Sequence, residues 1–212
     1  MLFSKKEKKS KVEVLSNFNK DSELFQKFIT LQNEINVTHD TKVIAVTSIE
    51  NDLLTAAFAN ALALTYAFND SKTMIIDANM YNPSLNEVLC DSNSSDVCVL
   101  ENNDNKSELS HETTKVNENL EALCFDKQVY PGNVFKSKVI QDILKKEGSK
   151  YEHFIILVPS IKEHKEVSLL KDVLKSIVLV VRKDVTKKKD IYEAISFFRE
   201  AELPLAKTVI IE

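Results

Sequence analysis

The stretch from Lys42 to Lys72, KVIAVTSIENDLLTAAFANALALTYAFNDSK, constrains the fold of this chain more than any other. A β-branched run, Val43 to Thr47, reads as a buried strand. A short polar loop follows, and Leu54, Ala57, Phe58, Ala61, Leu62 and Thr65 then trace one face of a long apolar helix. Strand, loop and buried helix in that order are the opening unit of an α/β sheet.

The rest of the chain repeats the alternation. TMIID (73–77), LEALCF (120–125), FIILV (154–158), IVLVV (177–181) and TVII (208–211) read as strands, and 84–89, 134–146, 165–175 and 187–201 as helices. Continuous apolar runs suit strands covered on both faces, and the helices between them supply right-handed crossovers. The predicted fold class is α/β, a mostly parallel central sheet with helices on both faces. Ahead of it, Leu24, Phe25, Phe28, Leu31 and Ile35 mark an amphipathic helix over 22–35, capped by Ser22 or Asp21. The expected organisation is a basic polar tail over 1–20 and one domain over 21–212, with a polar, mobile excursion at about 90–118.

Composition narrows the function. A net charge of -4 and a pI near 5.7 provide no basic field for nucleic acid. The three cysteines, Cys90, Cys98 and Cys124, lack metal-site spacing, and nothing resembles a signal peptide, which points to reduced thiols in a cytosol. No apolar run reaches the ~18 residues of a membrane span. The tail MLFSKKEKKSK reads most simply as solvated; its lysines would also lean on an anionic membrane surface at about 1 kcal/mol each.

The strand, loop and helix at 42–72 frame the position of a phosphate-binding loop, G-x-x-x-x-G-K-[ST], in which glycine admits the phosphate and lysine neutralises it. Here the loop reads Glu50, Asn51, Asp52, Leu53, Leu54, Thr55, and the whole chain has two glycines, Gly132 and Gly148, where about 15 would be average. A carboxylate and a phosphate ~4 Å apart repel by about 4 kcal/mol at an effective dielectric near 20. Asn51 or Asp52 is the expected helix cap, taking amide donors that a phosphate would otherwise take.

With SELF before the first strand, KVIAVTS entering the loop, IIDANMYNPSLNEVL after the second, then NLEALCF, FKSKVIQDILKKEGSKYEHFIILVPS and IVLVVRKDVTKKKDIYEAISFFREAELPLAKTVII, the chain resembles the bacterial tyrosine kinases of capsule and exopolysaccharide biosynthesis. These are deviant-Walker P-loop proteins related to MinD and ParA. The resemblance implies an ATP and magnesium site, and this sequence departs from it at each motif. Walker A lacks its lysine, although Thr55 stands where a magnesium-binding hydroxyl sits. The second motif, D-x-D-x-R, keeps Asp77 but has Asn79 and Tyr81. Asp77 is thus the one catalytic relic and a weak metal candidate, and a strand-end aspartate is otherwise a turn or cap residue. Walker B keeps Pro159 and has Leu157 in place of its acid, and leucine cannot hold a metal-bound water.

Two further departures concern assembly. With the sequence ending at Glu212, the family's tyrosine-rich tail is expected to be missing, and Tyr192 falls inside a predicted helix. The self-assembly motif E-x-x-R-x-x-R aligns on Glu23 and has Gln26 and Ile29 in place of arginine, leaving Phe25, Phe28 and Ile29 either as an apolar interaction helix or as cover for the sheet.

The resulting expectation is a pseudokinase without ATP or magnesium, cytoplasmic and peripheral at the inner face of the membrane. As a regulatory or scaffold module, it would bind the membrane adaptor that controls polysaccharide chain length, or an active paralogous kinase. One alternative is a degenerate MinD/ParA-like positioning protein for a secretion or pilus machine. Another is an atypical weak nucleotide binder that recruits Lys162 or the run 187–189.

Overall fold

The computed structural model describes residues 18–38, 42–50, 53–89, 113–124, 135 and 139–211. The predicted tail up to residue 17, the excursion over 90–112 and the cap residues Asn51 and Asp52 lie outside the described residues.

The first helix, α1 (Glu23–Thr38), starts where Ser22 accepts the Phe25 N–H on Oγ at 3.1 Å. β1 (Val43–Ser48), α2 (Leu53–Phe68), β2 (Thr73–Asp77) and α3 (Leu85–Leu89) follow. Next come β3 (Thr114–Lys115), β4 (Leu120–Cys124), α4 (Val139–Glu147), β5 (His153–Leu157), β6 (Ser176–Arg182), α5 (Lys188–Glu200) and β7 (Leu205–Ile211). They build a 7-stranded sheet in the order β3-β4-β2-β5-β1-β6-β7, parallel except where β3 meets β4.

Alternation along the central strands feeds two cores, one on each face. Val43 and Ala45 of β1, Met74 and Ile76 of β2, and Phe154 and Ile156 of β5 pack on the side of α4 and α5. Ile44, Val46, Ile75, Ile155 and Leu157 pack on the side of α1 and α2. That is the period of two expected of strands buried on both faces. On the second side α2 carries no charged residue and buries nearly its whole circumference, with α1, α3 and the sheet around it.

Several boundaries differ from those read in the sequence; α1, for one, runs to Thr38 rather than 35. The helix expected over 165–175 is a single 3-10 turn, Glu166–Leu170. Ser168 donates its hydroxyl to the Lys165 carbonyl at 2.8 Å, taking an acceptor that an α-helix would need. Residues 113–118, placed in the excursion, instead form the short antiparallel edge β3 and the turn into β4. β7 begins at Leu205 rather than 208, and a register shift opposite Ile177 and Val178 takes up the extra residue.

Of the two glycines, Gly148 is described. A Cβ there would lie 2.6 Å from the Leu144 carbonyl oxygen, so the chain leaves α4 by an approach that only glycine allows. Among the described residues, no helix is long and apolar enough to cross a membrane.

Candidate functional site

Parallel strands bring the ends of β1, β2, β5 and β6 to one rim, the place where ligands bind in open α/β sheets. The structure gathers Glu50, Thr55, Asp77, Leu157 and Pro159 at or beside that rim.

At the end of β1, Thr47 donates Oγ1–H to the Pro159 carbonyl at 2.8 Å, and the Ile161 N–H reaches the Ser48 carbonyl at 2.9 Å. Thr55 is buried in the first turn of α2 and donates to Ser48 Oγ at 2.9 Å. Ser48 in turn donates to the Glu50 carbonyl at 2.5 Å. The Glu50 carboxylate accepts the Thr186 hydroxyl at 2.7 Å, and the same Thr186 oxygen accepts the Arg182 N–H at 3.0 Å. The loop after β1 is thereby tied to the turn after β6. Leu54, which precedes Thr55 as the lysine precedes the hydroxyl residue in G-x-x-x-x-G-K-[ST], is 7% exposed and lies within the apolar core beside α1.

Asp77 ends β2 with its side chain 1% exposed. Oδ1 accepts the Asn79 N–H at 3.0 Å; Oδ2 accepts those of Ser84 at 3.0 Å and Leu85 at 2.9 Å. Burial pushes the carboxyl up to about 6, against the lowering effect of those three backbone bonds. The aspartate therefore closes the 78–84 loop on itself and caps α3. Beyond it, Tyr81 donates to Glu166 Oε1 at 2.5 Å and stacks on His164 with ring centroids 3.5 Å apart, clasping this loop to the segment after β5.

Leu157 is 1% exposed in the core beside α2, and its carbonyl accepts the Ala78 N–H at 2.8 Å. Pro159 is buried. Lys162, proposed from the sequence as a substitute cation, pairs with Asp190 at 2.7 Å; that bond raises the lysine and lowers the aspartate. Lys187, Lys188 and Lys189 are exposed at the start of α5, where Lys189 pairs with Glu193 at 3.5 Å.

On α1, Phe25 and Phe28 are 7% and 5% exposed. Phe28 packs on Phe58 and Phe25 on Phe68, with centroids 5.0 Å and 5.9 Å apart, while Ile29 is only partly buried. Tyr192 is 70% exposed on α5. Thr186 and Glu166 were missed by sequence reasoning, and no local motif marks either as a partner of the loops they hold.

No protein-family model and no curated protein matches the sequence. Solved structures do match the fold. The kinase domain of the Escherichia coli tyrosine kinase Etk is 14% identical with a TM-score of 0.76, covering 88% of this chain and 74% of its own. The chimerical protein CapA2B2 is 18% identical with a TM-score of 0.75, covering 95% and 89%. A ParA family ATPase from Chlorobium tepidum is 12% identical with a TM-score of 0.65, covering 81% and 73%. The chain thus has the three-layer α/β fold of P-loop NTPases. Within that class, bacterial tyrosine kinase domains and ParA-type proteins are its structural neighbours.

Proposed function

We infer that this chain is a relative of the bacterial tyrosine kinases that has lost nucleotide chemistry and serves as a protein-binding module. The observation that carries this reading is the state of Asp77. In the family it resembles, that position helps organise magnesium. Here both carboxylate oxygens are committed to backbone N–H groups of its own loop, and the side chain is almost fully buried. The other positions point the same way. Leu157 offers no ligand atom where the Walker B acid would stand, and Leu54 lies in the core. Glu50 brings a carboxylate to the rim and is held there by Thr186. The described residues therefore do not fit a magnesium-bound triphosphate, and no catalytic step is assigned to them.

What remains is a fold whose surfaces persist after the chemistry they once framed. By resemblance, the module works at the inner face of the membrane in a polysaccharide export or polymerisation complex. Its partner there is the cytoplasmic end of the chain-length regulator or an active paralogous kinase. Affinity purification from the native cell with the co-purifying membrane protein identified tests the partner. Titration calorimetry with Mg-ATP and Mg-ADP tests the loss of chemistry, and micromolar affinity would return the chain to the nucleotide-binding enzymes.

The likeness to a ParA family ATPase favours one second reading, a positioning protein for a secretion or pilus machine. Recovery of secretion or pilus components in the same purification would select it.

A further inference from the structure

The two edges of the sheet are unlike. At one, β3 is a two-residue antiparallel strand, a form that blunts an edge against further pairing. At the other, β7 runs for seven residues without proline, regular from Lys207 onward after the register shift at Ala206, and pairs with β6 alone among the described residues. Its outer side presents a row of backbone N–H and C=O groups, the template on which another strand adds. Ile210 on this strand is 65% exposed. A lysine often guards such an edge, but Lys207, the only charge within β7, is drawn to Glu34 of α1 at 2.6 Å.

We propose that β7 pairs antiparallel with β7 of a second copy of this chain, about a two-fold axis at Thr208, so that one sheet continues through a dimer. The strand's own sequence selects that occupant and that register. A two-fold axis perpendicular to the sheet keeps each side chain on its own face, so the register must centre on a residue. Centred on Thr208, Ile210 of the second copy falls opposite Ala206, the small residue at the register shift. Thr208 meets Thr208, a cross-strand pair joined by hydroxyls, and Lys207 meets Val209. Centring on Lys207 would oppose two lysines directly. Centring on Val209 would set Ile210 against Thr208 and move the overlap off the start of the strand. The favoured register is the one that brings no like charges together and keeps the start of the strand within the overlap.

Sedimentation velocity of the full chain over a concentration series tests the proposal, with a monomer–dimer equilibrium as the expected result. Thr208 is exposed, so Thr208→Lys should leave the thermal midpoint unchanged. Two lysines facing each other at the axis should weaken the dimer about tenfold or more. An equimolar mixture of Thr208→Lys and Thr208→Glu should recover a heterodimer at wild-type affinity. A wild-type chain that stays monomeric up to its solubility limit overturns the proposal. So does a Thr208→Lys variant that dimerises as well as wild type, or a mixture that shows no recovery.

Discussion

The Leu85 N–H meets Asp77 Oδ2 at 2.9 Å, so the carboxylate that ends β2 also begins α3. One side chain sets both the close of a strand and the start of a helix, and removing it should be costly. Asp77→Ala leaves three buried N–H groups without their acceptor, and a loss of about 2 to 4 kcal/mol is expected in urea unfolding. A variant as stable as wild type would show that the 78–84 loop does not depend on this residue.

The same carboxyl makes stability depend on pH. Its folded value, about 6, lies above the ordinary 3.8 because burial disfavours the charged form. The fold therefore prefers the protonated acid. The contribution is fully present below about pH 4 and is lost as pH rises through about 6, amounting to roughly 3 kcal/mol. Unfolding midpoints of wild type and Asp77→Asn should diverge across that window, with wild type losing ground as pH rises. Parallel curves would place the titration elsewhere.

Reinstating a lysine at Leu54 should not restore nucleotide binding. Leu54 packs in the apolar core, so Leu54→Lys buries a cation and should lower stability by about 2 to 4 kcal/mol. Thermal midpoints with and without Mg-ATP should agree within a degree or so for wild type and variant alike. A rise of several degrees in either would contradict the proposed loss of the phosphate site.

Phe28 fills the space between α1 and Phe58 of α2. Phe28→Ala should cost about 3 to 5 kcal/mol through the cavity it opens. A surface role would show instead as unchanged stability with altered self-association, which sedimentation distinguishes.

Gly148→Ala should destabilise the exit from α4 by about 1 to 2 kcal/mol, because its Cβ would meet the Leu144 carbonyl at 2.6 Å. A neutral result in urea unfolding would mean that the turn relaxes freely.

How much of this was legible in the sequence depends on the range of the interaction that sets each feature. The α/β class and most strand positions follow from runs such as Val43 to Thr47 and Phe154 to Val158, whose patterns are local. The inward face of α1 was legible in the spacing of Phe25, Phe28 and Ile35, although spacing alone did not separate a covered face from a docking one. The 3-10 turn in place of the helix expected at 165–175 was not legible: the Ser168 hydroxyl bond to the Lys165 carbonyl accompanies it, and no residue pattern announces it. Nor was the Glu50–Thr186 bond, which joins loops 136 residues apart through the order of the strands. At Asp77 the sequence left two roles open, metal relic and cap. The burial and the three N–H bonds that speak for the cap depend on the loop's path, which a lone aspartate does not encode.

The uncharged α2 has a consequence for the newborn chain. Part of the sheet that shelters it, β5 above all, is translated long after it, so during synthesis a greasy segment waits without its cover. A slowed ribosome or a shortage of holding chaperones should therefore harm the yield of this protein more than its finished stability would suggest.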